Sequence, residues 1–245
     1  MQIPRVYWGS PVEMGQVIAL SDDQVHHLRD VLRLVSGDKV YVLSKNGQFL
    51  AEITEIHKSR INLAILSLTD TAQKKHRVIL CQAIPKSQRM DWIIEKTTEL
   101  GVDEIIPVVS SRVVKKAEKI TRWKKIAIHA SKQCQRGDVP LIRDVTAWKD
   151  VVSLSGGWDL RLMATVGVTD RMNFFDLNFS ALARKFFSVA VAIGPEGDFD
   201  ESEITLAKSK GWLLMDLGPR VLRSDTAAVV GLSLIQYELC RRNIV

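Results

Sequence analysis

The sequence predicts an α/β protein in two parts, a small β-rich, barrel-like module followed by a larger mostly parallel sheet covered by helices. Three observations predict it. The first 70 residues carry short strand patterns separated by tight turns, and the remainder alternates apolar strand runs with amphipathic helical stretches. Between them Asp70–Lys75 is polar and without periodicity, which reads as a linker and sets the expected domains at 1–70 and 75–245.

Each element follows from local pattern. Ser21 and Gln24 have capping-box spacing, and Val25, Leu28, Val31, Leu32 and Val35 then recur at helical intervals until Gly37. Lys39–Ser44 reads as a strand, Asn46-Gly47 as a hairpin turn, Phe49–Ile56 as the partner strand and Ile61–Leu66 as another. After the linker, Val78–Ala83 is an apolar strand. Ser87–Leu100 is a helix with Met90, Ile93, Ile94 and Thr97 on one face and Gly101 as its stop. Ile105–Val109 is a strand, and Thr121–Gln135 a helix with Trp123, Ile126, Ala127 and Ala130 on its apolar side. Leu160–Thr165, Phe187–Ile193 and Leu213–Leu217 are strands; Asp200–Lys210 and Ser224–Arg241 are helices. Apolar strands alternating with helices argue for a parallel sheet buried on both faces.

Composition narrows the function. Hydrophobic residues at 46% and charged residues at 25% suit a globular chain, and no apolar run is long enough for a membrane span. The N-terminus lacks the layout of a secretory signal. Cys81, Cys134 and Cys240 are odd in number and far apart, which fits neither a disulfide framework nor a zinc knuckle and suits a reducing cytoplasm. The five histidines form no metal-binding pair, and His26 and His27, being adjacent, point apart on a helix, so no metal is expected. A net charge of +6 and pI near 9.3 are compatible with a nucleic-acid partner. The surplus gathers at Lys74–Arg77 and at Lys115, Lys116, Lys119, Arg122, Lys124 and Lys125, with Arg136 beyond; phosphate contact and a solvated helix face both account for such clusters.

Ligands of open α/β sheets sit at the carboxyl ends of strands. Two such ends run into Gly194-Pro195-Glu196-Gly197-Asp198-Phe199 and Gly218-Pro219-Arg220-Val221-Leu222-Arg223-Ser224-Asp225-Thr226. Glycine there lets backbone approach a ligand, and proline stiffens the turn; ordinary βα turns carry the same residues. Ser224 or Asp225 is positioned to cap the next helix, which leaves Arg223 in need of a phosphate, carboxylate or base edge. Neither Gly-x-Gly-x-x-Gly, a Gly-Lys-Ser/Thr phosphate loop nor Gly-x-Ser-x-Gly occurs, so dinucleotide, nucleoside-triphosphate and serine-hydrolase readings lose their support.

At these residues the chain resembles the RsmE family of 16S rRNA uridine N3-methyltransferases, in the SPOUT superfamily. The resemblance rests on Gly194–Gly197 and Leu217–Arg223, and extends to His26-His27-Leu28, Val31-Leu32-Arg33, Lys86, Arg89-Met90, Lys96, Glu99–Val102, Pro107, Arg112, Arg122-Trp123, Ala130, Gln133, Arg136 and Val139-Pro140. It implies a PUA-like RNA-binding β-barrel domain at 1–70 and a SPOUT α/β methyltransferase domain with a deep trefoil knot at 75–245. It further implies a cytoplasmic homodimer that uses S-adenosylmethionine to methylate N3 of one uridine (U1498 in the usual bacterial count) of 16S rRNA within the small ribosomal subunit.

Carried over by position, the resemblance implies a cofactor site at Thr165, Val166 and Gly167; Ile193, Gly194, Pro195, Glu196 and Gly197; and Leu217, Gly218, Pro219, Val221 and Leu222. It implies RNA contact at Arg5, Arg33, Lys86, Arg89, Arg112 and Arg136, to which the basic surface adds Lys58, Arg60 and the Lys115–Lys125 cluster. Attack by N3 requires loss of its proton, so a base and a cation near the developing anion are needed. Arg223 is the expected cation with Arg220 as alternate, and Asp225 the expected base ahead of Glu196; both carboxylates also have a structural reading, as helix cap and loop brace. Many family members have Thr-Glu-Thr where this chain has Ser224-Asp225-Thr226, so its carboxylate reaches one methylene less. N3 takes part in base pairing, so the target must be unpaired or flipped. Another SPOUT enzyme acting on tRNA or a ribose hydroxyl, and a non-catalytic RNA-binding ribosome-assembly protein, are the competing functions.

Overall fold

The structure, a computed structural model, describes residues 3–69, 75–86, 89–113, 119–167, 170–177 and 187–241. Most of the expected linker, residues 70–74, and Lys115 and Lys116 of the basic cluster lie outside the described residues. The chain divides into two compact units, Met1–Gln73 with Ser131–Val139 and Lys74–Ala130 with Pro140–Val245. The short stretch 131–139 thus groups with the first unit, although the strand–helix alternation of the sequence runs straight through it.

In the first unit, strands β1 (Arg5–Tyr7), β2 (Val17–Leu20), β3 (Lys39–Ser44), β4 (Gly47–Ile56) and β5 (Ile61–Leu68) form a sheet in the order β1-β3-β4-β5-β2. β1 runs parallel to β3 and the remaining pairs are antiparallel. The Asn46-Gly47 turn closes the β3–β4 hairpin as its sequence predicts, with Gly47 at φ 134° and the Asn46 amide bonded to both Val12 N and Val12 O. Alternate positions of β3, β4 and β5 point inward, so Val40, Val42, Ala51, Ile53, Ile61 and Leu63 make a dry core.

The helix after Ser21 departs from its pattern. α1 (Asp22–His26) widens into a π-turn over His27–Val31, and the chain leaves it through Arg33 at φ 55°. Wider winding turns later residues away from the core. Val25 and Leu28 are buried, but Val31, Leu32 and Val35 are exposed. The Arg29 guanidinium holds the turn by donating to His57 O and Lys58 O in the β4–β5 turn. The capping box expected from Ser21 and Gln24 does not form: the Gln24 amide pairs instead with Tyr7 N (2.8 Å) and Tyr7 O (3.1 Å), satisfying edge-strand backbone.

The second unit contains β6 (His76–Ala83), α2 (Arg89–Glu99), β7 (Glu104–Val109), most of α3 (Ile120–Gln133), β8 (Leu141–Ile142), β9 (Thr146–Ala147), α4 (Trp148–Leu154), β10 (Leu160–Ala164), β11 (Met172–Asn173), β12 (Phe187–Ile193), α5 (Glu201–Ser209), β13 (Leu213–Asp216) and α6 (Ser224–Arg241). Its strands pair in the order β11-β13-β10-β12-β6-β7-β8, with β9 also on β7, and every pairing among the described residues is parallel. β12 is buried along its whole length, as seven consecutive apolar or small residues require of a central strand. Ile79, Cys81, Ala190 and Ala192 share one face with α4 and α5, while α2 and α6 pack together and α6 covers β12 and β6. Burial pushes the Cys81 thiol far above its ordinary pKa, so it acts as an apolar core residue.

Candidate cofactor site

Parallel register builds the site. Ala164 of β10 pairs with Ile193 of β12 and with Met215 of β13, so three neighbouring strands end at one level. Their loops, 165–167, 194–199 and 217–223, converge on a cavity of about 230 Å³. Its wall includes Thr165, Val166, Ile193, Gly194, Pro195, Glu196, Leu217, Gly218, Val221 and Leu222 of the expected cofactor residues, together with Arg220 and Arg223. Gly167, Gly197 and Pro219 belong to the same loops but are not part of the wall, and neither is Asp225, which follows the wall residue Ser224 in α6. Ala164, Arg171, Asp198, Asp216, Ser224 and Ala227 also line it and were not legible as site residues. Their roles depend on partners far away in sequence.

Those partners tie the loops together. Ser224, the first residue of α6 and almost fully buried, donates to Gly194 O (2.6 Å) and accepts from Gln82 Nε2 (2.9 Å). It is therefore not the helix cap its position suggests; the helix opens on Ala227 N donating to Arg223 O. Asp198 Oδ2 accepts from Val166 N (2.8 Å), joining the 194–199 loop to the 165–167 loop. Arg171 donates to Thr165 O (3.1 Å) and to Asp216 Oδ1 (3.4 Å), and Asp216 accepts from Gly218 N (3.0 Å), which joins the 165–167 loop to the 217–223 loop. Gly194 has to be glycine: a Cβ there would lie 2.8 Å from Asp198 Oδ1 and 3.1 Å from Asp198 Cα.

The two candidate bases differ in surroundings. Both Glu196 oxygens accept from Lys86 N (3.0 and 3.1 Å), so that carboxylate braces the loop. Asp225 accepts from Thr226 N (2.9 Å) and stands 3.9 Å from Arg89 Nε. Arg220 and Arg223 are exposed, and their guanidinium groups have no hydrogen bond or ion pair among the described residues. Thr165 Oγ1 is buried at the cavity wall without a partner among the described residues, which leaves one polar group for a ligand to satisfy.

Comparison with known proteins bears on this architecture. The family described as an RNA methyltransferase domain matches residues 72–236, and the RNA methyltransferase PUA domain matches residues 20–66. Ribosomal RNA small subunit methyltransferase E of Bacillus subtilis (strain 168) is 29% identical over 237 residues, covering 93% of this chain and 92% of its own. The chain belongs to the ribosomal RNA small subunit methyltransferase E family. Within that family, the Neisseria gonorrhoeae enzyme bound to S-adenosyl methionine is 27% identical with a TM-score of 0.85, covering 97% of this chain and 98% of the other. A Legionella pneumophila methyltransferase in complex with bound SAM is 30% identical with a TM-score of 0.83 over the same shares.

Against the RsmE resemblance, the expected RNA-contact residues fall into two groups. In the first unit Arg33 is exposed, while Arg5 lies over the Tyr41 ring at 5.0 Å. The Arg136 side chain is only 10% exposed and meets Asp138, itself 43% exposed, through two bonds of 3.1 and 3.0 Å. In the second unit Lys86 and Arg112 are exposed, Arg112 donating to Gly197 O, and Arg89 is half-buried beside Asp225. Of the 74–77 cluster, Lys74 lies outside the described residues and Lys75 is exposed. His76 is buried beside Phe187, and Arg77 pairs with the buried Glu104, which also receives Arg143. Lys119, Lys124 and Lys125 are exposed, and Arg122 pairs with Asp91 on α2. Among the described residues no group of His, Cys, Asp and Glu could hold a metal, and no helix is long and apolar enough to cross a membrane.

Proposed function

We propose that this protein transfers the methyl group of S-adenosylmethionine to N3 of one uridine of 16S rRNA, U1498 in the bacterial count, acting on the small ribosomal subunit. The carrying observation is the convergence of three loops on one cavity lined by two arginines, Arg220 and Arg223, whose guanidinium groups have no partner among the described residues. The cavity fits the cofactor chemically. Ile193, Leu217, Val221 and Ala227 give an apolar wall suited to a purine, and the buried Thr165 hydroxyl and loop backbone groups suit its polar edges. In this reading the backbone of Gly194–Gly197 and Leu217–Leu222 holds the adenine and methionine parts.

The bound cofactor supplies a methyl on a sulfonium, and the chain supplies the rest. Arg223 stabilises the charge that spreads to uracil O2 and O4 when N3 loses its proton, with Arg220 beside it. Asp225 takes the proton, since Glu196 is engaged on Lys86 N. Arg33, Lys58, Arg60 and the exposed lysines of α3 hold phosphates in a salt-dependent manner. We read the first sheet as a PUA-like barrel, the chain passage through the three loops as a trefoil knot, and the working enzyme as a cytoplasmic homodimer.

Mass mapping of rRNA from a strain lacking the protein should show one uridine of 16S rRNA without its methyl group, restored by complementation. Loss from tRNA or from a ribose hydroxyl instead would overturn the substrate. Titration with S-adenosylmethionine separates an enzyme from a pure RNA binder, which would give no heat.

A further inference from the structure

We propose that Asp198 is a positioning residue of the cofactor pocket, its carboxylate clamping the 165–167 loop onto the 194–199 loop and so shaping the pocket before ligand arrives. The inference rests on the reading of this cavity as the S-adenosylmethionine site.

Four observations carry it. Asp198 has φ 59°, a left-handed conformation that non-glycine residues adopt at a cost of about 1 kcal/mol or more and that persists where neighbours fix it. Its two oxygens serve different loops: Oδ1 accepts from Phe199 N (2.8 Å) and Oδ2 from Val166 N (2.8 Å), 32 residues away. The usual alternative duty, capping the next helix, is already performed by Asp200, which accepts from Glu203 N (2.8 Å) while the Glu203 carboxylate accepts from Asp200 N (3.0 Å). Finally, the carboxylate lies over Gly194, where a Cβ would meet it at 2.8 Å.

The clamp runs from a rigid anchor to a soft loop. Phe199 is buried and stacks on Trp148 with ring centroids 4.8 Å apart, so the Oδ1 side is fixed in the core. Val166 is 43% exposed, and the only polar tie its amide makes among the described residues is the one to Asp198. Without that tie the 165–167 loop has to be ordered by the ligand itself, which lowers affinity and leaves the reacting groups of the 217–223 loop in place.

Two variants test the clamp. Asp198→Gly accepts the positive φ and removes the carboxylate; Asp198→Asn tolerates the same φ and keeps one acceptor oxygen. The dissociation constant for S-adenosylmethionine should rise about ten-fold in Asp198→Gly and about three-fold in Asp198→Asn, with kcat at saturating cofactor changed less than about two-fold. Amide exchange in the free protein should accelerate at Val166 and Gly167 and not in 160–164 or 187–193. Unchanged affinity in Asp198→Gly, or exchange rising uniformly across those strands, would overturn the clamp; should that variant not fold, unchanged affinity and Val166 exchange in Asp198→Asn would do so. A wild-type protein that binds no S-adenosylmethionine overturns the site reading and the clamp with it.

Discussion

The two Gly-Pro loops read alike in sequence and are built differently. The 194–199 loop is braced on all sides: Ser224 holds Gly194 O, Lys86 N holds Glu196, Arg112 holds Gly197 O, and Phe199 is sunk in the core. Among the described residues the 217–223 loop is held by Asp216 on Gly218 N at its start and by Ala227 N on Arg223 O at its end, and its Gly218–Val221 stretch is exposed, with Val221 at 79%. One loop is a fixed floor; the other is a lip that presents arginines. Shape and charge are thus supplied by different strands, and a substitution in one need not disturb the other.

The sharpest way to break this contrast is Arg223→Ala. Turnover should fall by about 10²–10³-fold or more, while S-adenosylmethionine affinity stays within a few-fold and the thermal midpoint is unchanged. Affinity falling as far as turnover would mean that the lip is also floor. Ser224→Ala should do the reverse. It removes the donor to buried Gly194 O and one of the two acceptors of Gln82 Nε2, which keeps Ala83 O, so stability should drop by about 1–3 kcal/mol in urea unfolding and cofactor binding should weaken with it. Full stability in that variant would show that the floor is held by backbone geometry alone.

A smaller effect marks where the brace ends. The Ser111 and Ser202 hydroxyls and the Glu203 amide pull Asp200 down to about 2, below the usual carboxylate range. A depressed carboxyl stabilises the folded state above its ordinary pKa of 3.8, and that contribution is lost as pH falls through about 2. The stability difference between wild type and Asp200→Asn should therefore be present at pH 5–7 and shrink between pH 4 and pH 2, measured by urea unfolding across pH.

Elements whose signal is local were legible. Phe187–Ile193 and Ser224–Arg241 carry their own boundaries, a long apolar run before glycine and a helical pattern after a loop. α4 was not legible, since seven residues give too few turns for Trp148, Val151 and Val152 to show a period. The Ser21–Gln24 spacing misled because the Gln24 amide found Tyr7, 17 residues away, and no local pattern reports such a competitor. The site divides the same way. Its loops announced themselves through glycine and proline, whereas Asp198, Arg171 and Ser224 act through partners 32, 45 and 30 residues distant.

Ser224 carries one more implication, about time rather than space. It belongs to α6, which follows every other element of the site in chain order and also contributes Ala227 to the cavity. During synthesis the strands β6, β10, β12 and β13 can leave the ribosome while residues beyond 223 are still in the exit tunnel, and Gly194 O and Gln82 then have no Ser224 to join them. A nascent chain at that stage has the loops of a methyltransferase without a finished pocket. On the proposed reading of the cavity as the cofactor site, capture waits for α6.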